Sequence, residues 1–152
     1  MKVGLISDTH GKLRPEVFEA FRAVDVILHA GDIGSLDIIT ELEAVAPVHA
    51  VHGNTDDFDV QARYGERVEV ELDGKRVVVV HGHLFASPTP ERLRNAFPHA
   101  DVIVYGHTHK PMVNQIPPMI VNPGAAGPAR FKLKPSVAIL EIPAMSVTFV
   151  DL

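Results

Sequence analysis

The stretch KVGLISDTHG, residues 2–11, is a short apolar run that ends in Ser-Asp-Thr-His-Gly. Val3, Leu5 and Ile6 read as a buried strand, and the polar tail reads as the loop that strand delivers. Apolar residues then recur at Val17, Phe18, Phe21 and Val24. That spacing predicts a helix over 13–24, with Pro15 in its first turn. The runs DVILHAGD and PVHAVHGN repeat the strand pattern. Between them lies a helix that Ser35 can cap, with Leu36, Ile39, Leu42 and Val45 on one face. Strand, helix, strand, helix, strand is the pattern of a parallel sheet with right-handed crossovers.

The middle of the chain changes character. RVEVELDGKRVVVVHG reads as two strands joined by Asp73-Gly74, a hairpin turn pair. Thr89 and Pro90 open a short helix, and DVIVYGH is a further strand. The tail is rich in strand pattern, at 112–116, 119–122, 136–142 and 146–150, while 56–65 and 84–90 read as loops. The fold expected is α/β: two mixed β-sheets packed together with helices outside, in one domain spanning 1–152.

Composition narrows the function classes. The chain has 152 residues, 46% hydrophobic and 22% charged, an ordinary globular balance. It contains no cysteine, which excludes disulfides and thiolate metal sites. No apolar run approaches the ~20 residues that span a bilayer, so no membrane association is expected. The start MKVGLISDTHG has too short an apolar stretch for a secretory leader, and a cytoplasmic protein is expected. The net charge is −5, and the longest basic cluster is RFKLK, so a large nucleic acid is not an expected partner. Edge strands in the tail leave room for a homo-oligomer.

Five runs share one ending: LISDTHG, LHAGDIG, AVHGNTDD, VVVVHGH and VIVYGHTH. In open α/β sheets, ligands bind beyond the carboxyl ends of the strands, so these five loops can converge. They carry Asp8, His10, Asp32, Asn54, His81, His107 and His109. Seven oxygen and imidazole donors exceed one tetrahedral ion and suit two ions that share a carboxylate. Mixed donors of this kind favour divalent transition metals, manganese first, with nickel, iron, cobalt or zinc as alternatives. Two such ions against two aspartates leave the cluster positive, which invites a phosphate ester.

Taken in order, Asp8-x-His10, Gly31-Asp32, Gly53-Asn54, His81 and Gly106-His107-x-His109 resemble the signature of the calcineurin-like metallophosphoesterases. The short length and NPGA (122–125) make the chain most similar to the small prokaryotic phosphodiesterase branch. The resemblance implies a four-layer αββα sandwich and a dinuclear centre. Asp8, His10 and His109 would hold one ion, Asn54, His81 and His107 the other, with Asp32 between them. It also implies a metal-bridging hydroxide as nucleophile towards a small phosphodiester. The alternatives are a phosphomonoesterase or nucleotidase, and a non-catalytic scaffold like the retromer subunit of the same superfamily. The chain departs from the larger family at Thr55, where a histidine usually serves the leaving group. His83 is the substitute candidate for that role. Arg130 and Asn54 are candidate contacts to the substrate phosphate, while Asp56, His29, His52 and Asn122 read as structural support.

Overall fold

The computed structural model describes residues 1–130 and 132–152. Strands β1 (Lys2–Ile6), β2 (Val26–His29), β3 (Val48–Ala50), β9 (Ser136–Glu141) and β10 (Ser146–Asp151) form one sheet, in the order β10-β9-β1-β2-β3. Strands β4 (Arg67–Leu72), β5 (Lys75–Val80), β6 (Val102–Val104), β7 (Met112–Asn114) and β8 (Met119–Asn122) form the other, in the order β4-β5-β6-β8-β7. The centre of each sheet is parallel: β1, β2 and β3 in the first, β5, β6 and β8 in the second. Antiparallel strands flank both centres. The β4–β5 turn holds Asp73 at φ 49° and Gly74 at φ 81°, the two left-handed residues that a type I′ hairpin requires.

The period-two alternation of strand side chains builds the layers. Val3, Leu5, Val26 and Leu28 from the first sheet meet Val77, Val79, Val102, Val104 and Val121 from the second in one buried cluster. The opposite face of the first sheet, with Ile6, Ile27 and Val137, packs on helices α1 (Glu16–Ala20), α2 (Leu36–Glu43) and α3 (Phe58–Arg63). The opposite face of the second sheet, with Val78, Val80, Ile103 and Ile120, packs on Leu93 of α4 (Pro90–Ala96). Helices therefore cover both outer faces, which is the four-layer αββα arrangement. No helix among the described residues is long and apolar enough to cross a membrane.

Three elements differ from the sequence expectation. The helix expected over 13–24 runs only from Glu16 to Ala20. Residues beyond it close as single turns, with the Val24 N–H donating to the Phe21 carbonyl. The chain there is tied to β1 by Asp25, which accepts from the Lys2 N–H at 2.8 Å, so the helix has no room to continue. Phe18, expected on the apolar face, is exposed. Residues expected as loop contain α3, which Asp57 caps by accepting from the Val60 N–H; only Val60 of that helix is buried, so no apolar period announced it. Strand β7 stops at Asn114, whose side chain accepts from the Ile116 N–H and from Arg94 and turns the chain.

Phe21 is the largest wholly buried side chain, and it lies over Gly4 of β1. A Cβ on Gly4 would stand 3.1 Å from the Phe21 ring, so the glycine makes the ring's place. Replacing Phe21 by Ala is expected to cost ~3–5 kcal/mol of stability, read as a lower denaturant midpoint.

His29, the last residue of β2, is wholly buried. Its Nδ1 accepts from the Gly31 N–H at 3.1 Å, so the ring proton sits on Nε2 and points to Thr9 Oγ1 at 3.0 Å. Thr9 in turn donates to the Ile33 carbonyl. Burial pushes the His29 pKa down to about 4 from 6.5. Between those values the unfolded chain binds a proton that the fold refuses, so stability falls as pH drops from 6.5 towards 4. The loss from this group reaches up to ~3 kcal/mol. Chemical denaturation in chelator across that pH range should show a shallower decline for His29→Gln than for the native chain.

Candidate metal centre

β1, β2 and β3 of one sheet and β5 and β6 of the other deliver their carboxyl ends to the same edge of the sandwich. The loops are laced together by main-chain hydrogen bonds. The N–H groups of Asp8, His10 and Gly11 donate to the carbonyls of Gly31, Asp32 and Ile33. The Gly106 N–H donates to the His81 carbonyl, which joins β5 to β6 beyond their ladder.

Asp8 lies at the centre and is wholly buried. Its Oδ2 accepts from the Ser7 hydroxyl at 2.6 Å and from the His107 N–H at 3.2 Å. Its Oδ1 is buried with no hydrogen-bond partner among the described residues. Three imidazole nitrogens surround that oxygen: His109 Nε2 at 3.4 Å, His10 Nε2 at 3.7 Å and His81 Nε2 at 3.9 Å. Those separations are too long for good hydrogen bonds and leave room for a cation between donors. The His10 Nε2 is likewise buried without a hydrogen-bond partner. Leaving a buried carboxylate oxygen and an imidazole nitrogen unserved costs several kcal/mol, which a divalent cation would offset.

Asp32 occupies the next position. Its Oδ1 accepts from the Thr55 N–H at 3.0 Å, while Oδ2 lies 3.2 Å from His81 Nε2 and 3.8 Å from His10 Nε2. Burial opposes its ionisation, but hydrogen bonds from His81 and Thr55 outweigh that and hold the carboxyl well below its ordinary range. His81 donates from Nδ1 to the Ala30 carbonyl at 2.8 Å, which turns Nε2 towards Asp32 and towards Asn54 Oδ1 at 3.0 Å. In the neutral ring that Nε2 is a bare lone pair facing two oxygens, so something positive must lie there. Without a metal it is a proton: burial works against the cation, yet Asp32 and Asp8 prevail and raise the His81 pKa.

The seven expected donors are thus brought to one place, in two halves. His10 and His109 lie beside Asp8 with their rings tilted by 51° and ring centres 5.5 Å apart. His81 and His107 stand edge to face at 5.2 Å on the side of Asn54. Asp8, His10 and His109 offer ligand atoms within 4.8 Å of one another, and so do Asp8, Asp32 and His81. Asp8 belongs to both groups, and Asp32 Oδ2 also spans them, since it faces both His10 and His81. His83 opens the turn after β5, half-buried, with its ring 5.5 Å from that of His81. Arg130 is exposed, and its charge bears on His10.

Five of the seven donors hold left-handed backbone: Asp8, His10, Asp32, His107 and His109, with φ between 47° and 69°. Residues with a Cβ enter that region at a cost, and its concentration here points to a site that the surrounding structure imposes. Gly106 has no side chain because the Ser7 hydroxyl and the Asp8 carboxylate occupy that space.

Sequence reasoning passed over Ser7, whereas Asp56, read from the sequence as structural support, has that role. Asp56 accepts from the N–H groups of Gly53, Ile33 and Gly34, which clamps the Asn54 loop to the Asp32 loop. Asn122 does the same for the GHTH loop, donating to the Gly106 carbonyl and Thr108 Oγ1 while accepting from the Gly124 N–H. A buried polar residue directly beside a candidate ligand was the one signal available for Ser7. Thr55, which brings no acid, instead orients Asp32.

Comparison with known proteins places the chain among phosphoesterases. A protein from Methanothermobacter thermautotrophicus named probable metallophosphoesterase is 39% identical over 151 residues, covering 93% of this chain and 86% of that one. A phosphodiesterase of Methanocaldococcus jannaschii is 30% identical over 142 residues, covering 82% and 83%. A solved archaeal phosphodiesterase superposes with a TM-score of 0.83 at 27% identity, over 100% of both chains. The family model for the calcineurin-like phosphoesterase superfamily domain matches residues 1–145, and the chain belongs to that superfamily.

Proposed function

We propose that the chain is a metal-dependent phosphodiesterase acting on small phosphodiesters at a dinuclear centre. The observation that carries this reading is the buried, unserved Oδ1 of Asp8 among three imidazoles. Asp8, His10 and His109 would hold one divalent ion. Asn54, His81 and His107 would hold the second, and Asp32 would stand between the two. The mixed nitrogen and oxygen donors favour a transition ion, manganese first. When bound, the ions supply Lewis acidity and water of lowered pKa for attack at phosphorus.

The chain's own residues prepare that chemistry. Ser7 and the His107 N–H occupy one oxygen of Asp8, so the other is aimed. The Ala30 carbonyl sets the His81 tautomer, and the Thr55 N–H sets the angle of Asp32. Asn54 gives an amide oxygen where a carboxylate would cancel charge, so the centre stays attractive to a phosphate. Arg130, on the His10 flank, adds a further positive charge for that anion.

Protonation of the leaving group is the weak step. Thr55 carries no acid, and burial pushes the pKa of His83 down, so its ring is neutral at pH 7. General acid help is worth ~10²–10⁴-fold, and its absence makes the rate depend on the leaving group. The test is to load the full chain with Mn²⁺, Ni²⁺, Zn²⁺ or Mg²⁺ and assay aryl and alkyl phosphodiesters beside an aryl monoester. Turnover of the aryl diester should exceed that of the monoester and fall steeply for the alkyl diester. No turnover with any of the four metals refutes the reading.

Asp32→Ala checks the centre directly. Bound metal, measured on the purified protein, should fall from two ions per chain towards none, and activity should fall at least ~10³-fold. Retention of both ions by this variant would remove Asp32 from its place between them.

A further inference from the structure

Beside the metal centre, on the His81 flank, lies a cavity of about 310 Å³ that the reaction as described does not use. His81 and His83 both line it, so it borders the cluster of donors. Gly82, at φ 109°, bends the chain sharply after His81, and the 3₁₀ turn His83–Phe85 places Leu84 and Phe85 along the cavity. Phe97, after α4, closes the far wall, edge to face with Phe85 at 5.9 Å between ring centres. The guanidinium of Arg67 lies over the Phe97 ring at 5.8 Å. Glu66 also lines the cavity, so the formal charges of its acidic and basic lining residues cancel.

These walls describe a flat, apolar, uncharged occupant. Phenylalanine edges and a stacked guanidinium are surfaces that aromatic rings favour. The volume sits at the lower end of small-ligand sites, enough for one or two rings and too small for a folded peptide. Leu84 is 61% exposed, an apolar side chain of the cavity lining held out in water. His83 Nδ1 is buried and has no hydrogen-bond partner among the described residues, so a polar hydrogen-bonding position exists where the cavity meets the donors.

We infer that this cavity binds one organic substituent of the phosphodiester, a flat aromatic ring such as an aryl group or a nucleobase, with His83 hydrogen-bonding the ester. The inference rests on the phosphodiesterase reading and goes beyond it by naming the substrate class. The phosphate would then lie with its ring-bearing ester towards His83. Substrates would be asymmetric in their demands: one aromatic ester group, and little constraint on the second.

The test uses the metal-loaded full chain and, as the first pair of ligands, phosphonates that hydrolysis does not consume. Phenylphosphonate and methylphosphonate share a phosphorus group and differ in the ring, and calorimetry gives both affinities. Phenylphosphonate should bind ~10-fold more tightly, a gain expected from burying one ring after ordering costs. Leu84→Asp, at an exposed position that the fold does not need, should bring the ratio close to one, while Leu84→Phe should keep it. Comparing thymidine 5′-phosphate with ribose 5-phosphate identifies the ring: a similar gain indicates a nucleobase, and a gain for phenylphosphonate alone indicates an aryl group. Equal binding of the two phosphonates by the native chain overturns the inference, as does a ratio that Leu84→Asp leaves unmoved. Failure of the phosphodiesterase reading looks different: neither phosphonate binds with any metal.

Discussion

The carboxylate of Asp8 has two oxygens in two different situations, and the site is organised by that difference. Oδ2 is tied by a hydroxyl from its own strand end and by a main-chain N–H from the facing sheet. Oδ1 is buried and has no hydrogen-bond partner among the described residues, while three imidazole nitrogens stand 3.4–3.9 Å from it. A buried anion in that position is costly unless a cation completes it. Folding energy from three apolar clusters holds the arrangement, since nothing in the arrangement itself is self-sufficient.

The left-handed donors follow from the same constraint. A loop leaving a strand normally sends successive side chains in diverging directions. Placing Asp8 and His10, or His107 and His109, around one point requires the chain to curl back at alternate residues. The backbone therefore takes positive φ at residues that carry side chains, and the strain is borne by neighbours that have hydrogen bonds to give. Asp56 and Asn122 are those neighbours, each fastening a loop by main-chain contacts.

Much of this was legible in the chain because the informative residues recur at strand ends. The runs before Asp8, Asp32, Asn54, His81 and His107 set the strands, and the polar residue after each set the donors. The unbroken apolar runs in KRVVVV and VIV mark strands buried on both faces, as the central strands of a parallel sheet are. What escaped had no period to read. Helix α3 buries a single residue, and the helix before β2 is shortened by a contact with Lys2 that lies 23 positions away. Ser7 looks like any strand-end serine until Gly106 is seen to vacate the space it fills. The ring-shaped cavity depends on Phe85 and Phe97 meeting across a turn and a helix, a proximity that no local pattern encodes.

Asp8, His10, Asp32 and Asn54 hang from the first sheet, whereas His81, His107 and His109 hang from the second. A cation held by this set would therefore act as a rivet through the seam of the sandwich. Among the described residues, side-chain packing and loop hydrogen bonds join the two sheets elsewhere, because each ladder stays within its own sheet. Binding that cation and docking the sheets would become one thermodynamic event: tight binding would resist separation of the layers, and any loosening of the layers would weaken the cation's hold. The edge that performs the chemistry is in this way also the clasp of the fold.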